Sequence, residues 1–171
     1  MEPWGKDGVR QQTETDIILR ERRHLIMVEC KLGKPGEMVR AWCRSKPGMR
    51  RQYRDFMKEL DVNLFSDSFN YDEDGNRFYQ LFRNYLLGAA LSSRWKTDFS
   101  LLVIVNAVNT NLDGKSHPEE FRSFQSLLSD SSNTLLVTWQ KILDRLGPEA
   151  GLDALQAWLS NHPLLQLHDQ R

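Results

Sequence analysis

Apolar residues gather in two short runs near the start of the chain, residues 13–19 (TETDIIL) and 24–31 (HLIMVECK), with the polar stretch 20–23 between them. Both runs are rich in β-branched and large apolar side chains, a pattern that predicts two strands joined as a hairpin. Residues 33–36 (GKPG) then punctuate the chain, because glycine and proline end strands and helices alike. Past Pro47-Gly48, Met49, Tyr53, Phe56, Met57 and Leu60 recur at helical spacing. The strongest helical stripe falls in 77–93, where Phe78, Leu81, Phe82, Tyr85, Leu86 and Ala89 line one face and Gln80, Arg83 and Asn84 form a polar ridge beside it. Residues 99–106 (FSLLVIVN) read as a strand covered on both faces, and 134–139 (TLLVTW) as a shorter one. Between them Pro118 and Glu119 open a helix carrying Phe121, Phe124, Leu127 and Leu128. Strand, helix, strand in that order implies a crossover and a parallel pair. Helices at 139–146 and 149–160, broken by Gly147-Pro148, complete an α/β chain with a mixed central sheet flanked by helices.

The hairpin also carries the chemistry. With residues 20–23 as its loop and Leu19 opposite His24, Asp16 falls opposite Met27, and Glu14 opposite Glu29. Asp16 and Glu29 then become diagonal neighbours, and Lys31 shares their face because side chains two apart on a strand point the same way. A slip of one residue would move Asp16 to the other face, so the reading depends on the loop. Two carboxylates are hard oxygen ligands suited to Mg²⁺ or Mn²⁺, and the Cys30 carbonyl offers a further one. Lys31 is placed to orient or deprotonate an attacking water, or to neutralise charge developing on phosphorus.

An acidic residue on one strand followed by Glu-x-Lys on the next resembles the PD-(D/E)XK, or restriction-endonuclease-like, nuclease superfamily; Asp16 and Glu29-Cys30-Lys31 carry the likeness, over residues 13–140. The resemblance implies metal-dependent hydrolysis of DNA, with Asp16, Glu29 and Cys30 at a Mg²⁺ or Mn²⁺ ion and Lys31 beside it. In several branches of that superfamily the helix after Glu-x-Lys brings a glutamine near the metal, which here implies Gln80. The superfamily core begins with a helix and a strand before the acidic residue, whereas twelve residues precede Thr13. That departure implies a shortened core or a contribution from a partner subunit or second copy, with Glu14 as a substitute acid. The alternatives are a catalytically silent nucleic-acid-binding or assembly subunit with the same fold, and an interaction domain in which the hairpin acids are incidental.

Composition changes this picture little. The 171 residues, 40% hydrophobic, suit one domain over 1–171, with a core at 13–140 and a helical extension at 141–171. The 23 basic residues balance 23 acidic ones, so any attraction to nucleic acid must come from local clustering. Such a cluster follows the hairpin, with Arg40, Arg44, Lys46, Arg50, Arg51, Arg54 and Lys58 opposed by Asp55 alone; Arg50, Arg51 and Arg54 are the expected phosphate contacts. Cys30 and Cys43 supply neither a disulfide framework nor zinc-site spacing. No apolar stretch reaches the ~18 residues of a membrane span, and the expected setting is cytoplasmic. Residues 70–76 (NYDEDGN) imitate the start of a calcium loop, but Leu81 stands where its bidentate glutamate would be. His162 and His168 lie in the tail and are expected to be solvated.

Overall fold

The fold comes from a computed structural model that describes residues 16–31, 55–58, 60, 63–110 and 114–146. Strand β1 (Ile17–Glu21) and β2 (His24–Lys31) form the hairpin; a short helix α1 (Asp74–Arg77) leads into the long helix α2 (Tyr79–Trp95), and β3 (Asp98–Val105) follows. Helix α3 (His117–Gln125), strand β4 (Thr134–Thr138) and helix α4 (Trp139–Leu146) complete the described elements. The sheet order is β1-β2-β3-β4, with β1 antiparallel to β2 and the remaining neighbours parallel. This is the mixed sheet with flanking helices that the apolar runs predict, crossover included.

The hairpin loop is shorter than the charge pattern suggests. Arg20 and Glu21 belong to β1, only Arg22 and Arg23 turn the chain, and Leu19 lies opposite Ile26 instead of His24. Arg22 takes a left-handed backbone, φ 46°, to close the two-residue loop. The pairing is displaced by two residues from the expected one, an even number, so every side chain keeps its face. Continuing the register one step past Ile17↔Val28 brings Asp16 against Glu29, the place expected for Glu14, which lies outside the described residues.

Alternation along β2 and β3 sets one face of the sheet against α2. Leu25, Met27, Leu101, Val103 and Val105 are buried there with Leu81, Phe82, Tyr85 and Leu86 of the helix. Met57 and Leu60 pack against this core and Phe56 is buried, as their helical spacing suggests. The approach is closest at Gly88, where a Cβ would stand 2.6 Å from Cδ2 of Phe99 and 3.1 Å from Cγ of Met27. Strand β3 is not covered evenly, since Leu101, Val103 and Val105 are fully buried while Ser100 and Leu102 are half-buried. Helix α3 begins cleanly because Ser116 and Glu119 form a reciprocal capping box, each bonded to the other's backbone N–H.

The tight packing at Gly88 yields a direct test. Gly88→Leu should lower the stability of the fold by about 1–3 kcal/mol through overpacking. Urea unfolding measures it, and an unchanged midpoint would mean that α2 does not rest on Phe99 and Met27.

Candidate active site

A charge at the end of an apolar strand is costly to bury unless it finds partners. Glu29 has them. Its side chain is 2% exposed; Oε1 pairs with Nζ of Lys31 at 2.8 Å, and Oε2 accepts a hydrogen bond from Nδ2 of Asn84 at 2.6 Å. Lys31 is two residues on along the same face, so the pleat delivers its ammonium to the carboxylate. Asn84 comes from α2, itself fully buried, with the Arg83 guanidinium 3.4 Å from its Oδ1. The guanidinium of Arg83 in turn lies over the ring of Tyr79 at 5.7 Å.

Asp16 arrives from the other strand. Its Oδ2 accepts the backbone N–H of Cys30 at 2.6 Å, just beyond the last β1–β2 pair. In an extended strand the N–H and C=O of one residue point to the same side, so the Cys30 carbonyl is directed toward the edge where Asp16 sits. The Cys30 thiol is raised above its ordinary 9.0 by burial, then by the charges of Asp16 and Glu29, against a lowering by Lys31. A protonated thiol is a poor nucleophile and a poor ligand, which leaves the carbonyl as the group this residue has to offer.

Asp16, Glu29, Cys30 and Lys31 thus gather at the C-terminal end of β2, which in sheets with parallel strands is the end where ligands bind. Gln80 sits on α2 one turn before Asn84, half-buried, with its Oε1 shielded from solvent, so it is not the solvent-facing residue of an outer ridge. Arg83 and Asn84 of that ridge are buried too. Arg50, Arg51 and Arg54 lie outside the described residues, as do His162 and His168.

Among the buried polar residues, Asn84, His117 and Glu120 are not marked as buried by the pattern. Asn84 leaves a signal, since asparagine is a poor helix former and sits mid-helix beside an apolar stripe. His117 and Glu120 on α3 leave none that periodicity could catch, because both read as the polar start of a surface helix. Glu120 is 1% exposed and paired with Arg77 of α1 at 2.7 Å. His117 is fully buried, and its pKa is lowered from 6.5 first by burial and next by Lys31, with Glu120 opposing.

A mixed four-stranded sheet covered by a helix, with a buried, hydrogen-bonded carboxylate on the strand beside an acid-bearing neighbour, is an α/β arrangement consistent with a restriction-endonuclease-like fold. The chain belongs to the REase-ARP family, described as "Restriction Endonuclease associating with ARP", whose family model matches residues 5–162. Neither the curated proteins nor the solved structures give a match.

Two outcomes follow from this geometry. Asn84→Leu deprives a buried carboxylate of a donor and should destabilise the protein by about 1.5–3 kcal/mol in denaturant unfolding. An unchanged stability would remove Asn84 from the support of Glu29. For His117, the folded-state pKa lies below the unfolded one, so between them the unfolded chain binds more protons and stability rises with pH. Its contribution is therefore full above 6.5 and is lost as pH falls below that value. His117→Gln should flatten this part of the stability profile, and an unaltered profile would assign the dependence to other groups.

Proposed function

We propose that this chain is a metal-dependent nuclease of PD-(D/E)XK type that hydrolyses phosphodiester bonds in DNA. The observation that carries the reading is the convergence of Asp16, the Cys30 backbone and the Glu29–Lys31 pair at one strand end. The donor set suits Mg²⁺ or Mn²⁺: Asp16, Glu29 and the Cys30 carbonyl are hard oxygens, too few to fill an octahedral shell, which leaves places for water and a phosphate oxygen. When bound, such an ion supplies Lewis-acid polarisation of the phosphate.

The chain's own residues supply the rest. Asn84 fixes one oxygen of Glu29 and so sets the direction of the other. Lys31, held at Glu29, is a multiple N–H donor that can also serve an attacking water or the charge that builds on the phosphoryl oxygens. Gln80, one turn from Asn84 along α2, is assigned a supporting role beside the ion. Arg50, Arg51 and Arg54 are assigned to non-specific phosphate affinity.

A second reading has an observation of its own. Among the described residues no cluster of three or more His, Cys, Asp or Glu side chains could hold a metal ion, and both oxygens of Glu29 are already engaged. On that reading the chain keeps the fold as a silent subunit of a larger assembly, a role in keeping with the words "associating with ARP" in its family's description.

Cleavage of a DNA duplex decides between them. Wild-type protein should cut in Mg²⁺, stop in chelator and resume when Mg²⁺ or Mn²⁺ is restored. Glu29→Gln, which keeps the shape of the side chain, should lower the rate by about a hundredfold or more. Cutting that survives both chelator and Glu29→Gln would belong to another site or another protein. Absence of cutting by the wild type in either metal would favour the silent subunit.

A further inference from the structure

The opposite end of the same strand carries a second concentration of charge. The end of β1 and the turn after it present Arg20, Arg22 and Arg23, and the last turn of α2 with its cap presents Arg94 and Lys96, all exposed. The two turns are neighbours: the N–H of Asp98 donates to the carbonyl of Arg23 at 2.8 Å, and the Arg20 guanidinium lies over the ring of Trp95 at 5.1 Å. Glu21, the last residue of β1, and Asp98, the first of β3, are the exposed carboxylates beside them. In a chain with no net charge, this local excess of cations is a departure from the average.

The backbone makes the departure sharper. Among the described residues, the two non-glycine positions with positive φ are Arg22, at 46°, and Lys96, at 51°. Lys96 is the left-handed residue that ends α2, its N–H returning to the carbonyl of Ser92. Glycine or asparagine takes this conformation at lower cost, and both are common in such turns and helix ends. At both places the chain instead has a cation, on the same patch. Trp95 adds a half-exposed aromatic face, 40% accessible, beside a guanidinium.

We propose that this patch, Arg20, Arg22, Arg23, Arg94, Lys96 and Trp95, is a second nucleic-acid contact that grips the phosphate backbone away from the Glu29–Lys31 site. The proposal takes its choice of partner from the nuclease reading above. Five clustered cations against two carboxylates favour a phosphate backbone and release its counterions. An exposed aromatic ring beside arginine is suited to a base or sugar face. The spacing also fits. Strand β2 has eight residues from the patch to the site, about 23 Å at ~3.3 Å per step, which corresponds to roughly seven base pairs of duplex at ~3.4 Å each. One duplex lying along the sheet reaches both ends.

The test uses the full-length protein and a fluorescein-labelled DNA duplex of about 20 base pairs, with binding followed by anisotropy across a salt series. Two variants remove charge from the patch: Arg22→Asn with Arg23→Gln, and Arg94→Gln with Lys96→Asn. Asparagine tolerates the left-handed backbone, so both variants should fold, which thermal unfolding verifies. Lys141→Gln, an exposed cation on α4, controls for removal of charge alone. Each patch variant should weaken binding and reduce the slope of log affinity against log salt by up to roughly 0.9 for every phosphate that is no longer neutralised, with the control at the wild-type slope. Wild-type slopes in both patch variants would overturn the proposal and give the patch to an acidic protein partner, even if cleavage persists. A reduced slope without any cleavage by the wild type would uphold the patch while removing the nuclease reading.

Discussion

A buried carboxylate is the constraint around which this molecule is arranged. Glu29 stands inside the fold with an ammonium on one oxygen and a carboxamide on the other, and its burial as a charged group depends on both. Lys31 reaches it because the strand is extended to its end, and Asn84 reaches it because α2 lies flat on the sheet. That flatness depends on Gly88, whose missing side chain admits Phe99 and Met27. The sheet in turn depends on β3, which runs parallel to β2 along all eight of its residues and brings Val103 and Val105 beside Glu29 and Lys31. A disturbance of core packing therefore reaches the carboxylate directly.

Much of this is legible in the residues. Continuous apolar runs mark β2, β3 and β4, and the order strand, helix, strand implies the crossover and its parallel pair. The acid and the Glu-x-Lys run point to one strand end, and the structure places Asp16, Glu29, Cys30 and Lys31 there. The hairpin loop is where the pattern misleads, because Arg20 and Glu21 look like loop residues when they are the exposed end of β1, an edge strand among the described residues. Polarity reports exposure, and an edge strand is exposed by position. The even displacement of the register preserves the faces, so the site survives an error in the turn.

What the sequence conceals is of another kind. Asn84, His117 and Glu120 are polar residues whose burial comes from long-range packing, with partners 55 positions away for Asn84 and 43 for Glu120. No local period reports such pairs. Glu120 answers Arg77, and His117 is influenced by the charges of both Glu120 and Lys31, so α3 is tied electrostatically to the site strand. The two ends of β2 then divide the labour in the proposed function: buried, hydrogen-bonded groups for chemistry at one, and exposed cations for holding a long anionic substrate at the other.

The central claim is that Asp16 and Glu29 share one divalent ion. Calorimetric titration of the wild-type protein with Mn²⁺, beside Asp16→Asn and Glu29→Gln, measures it without reference to any substrate. The account predicts a single saturable site in the wild type that either substitution weakens at least tenfold, about 1.4 kcal/mol. Equal binding by all three proteins, or none by the wild type, would contradict it.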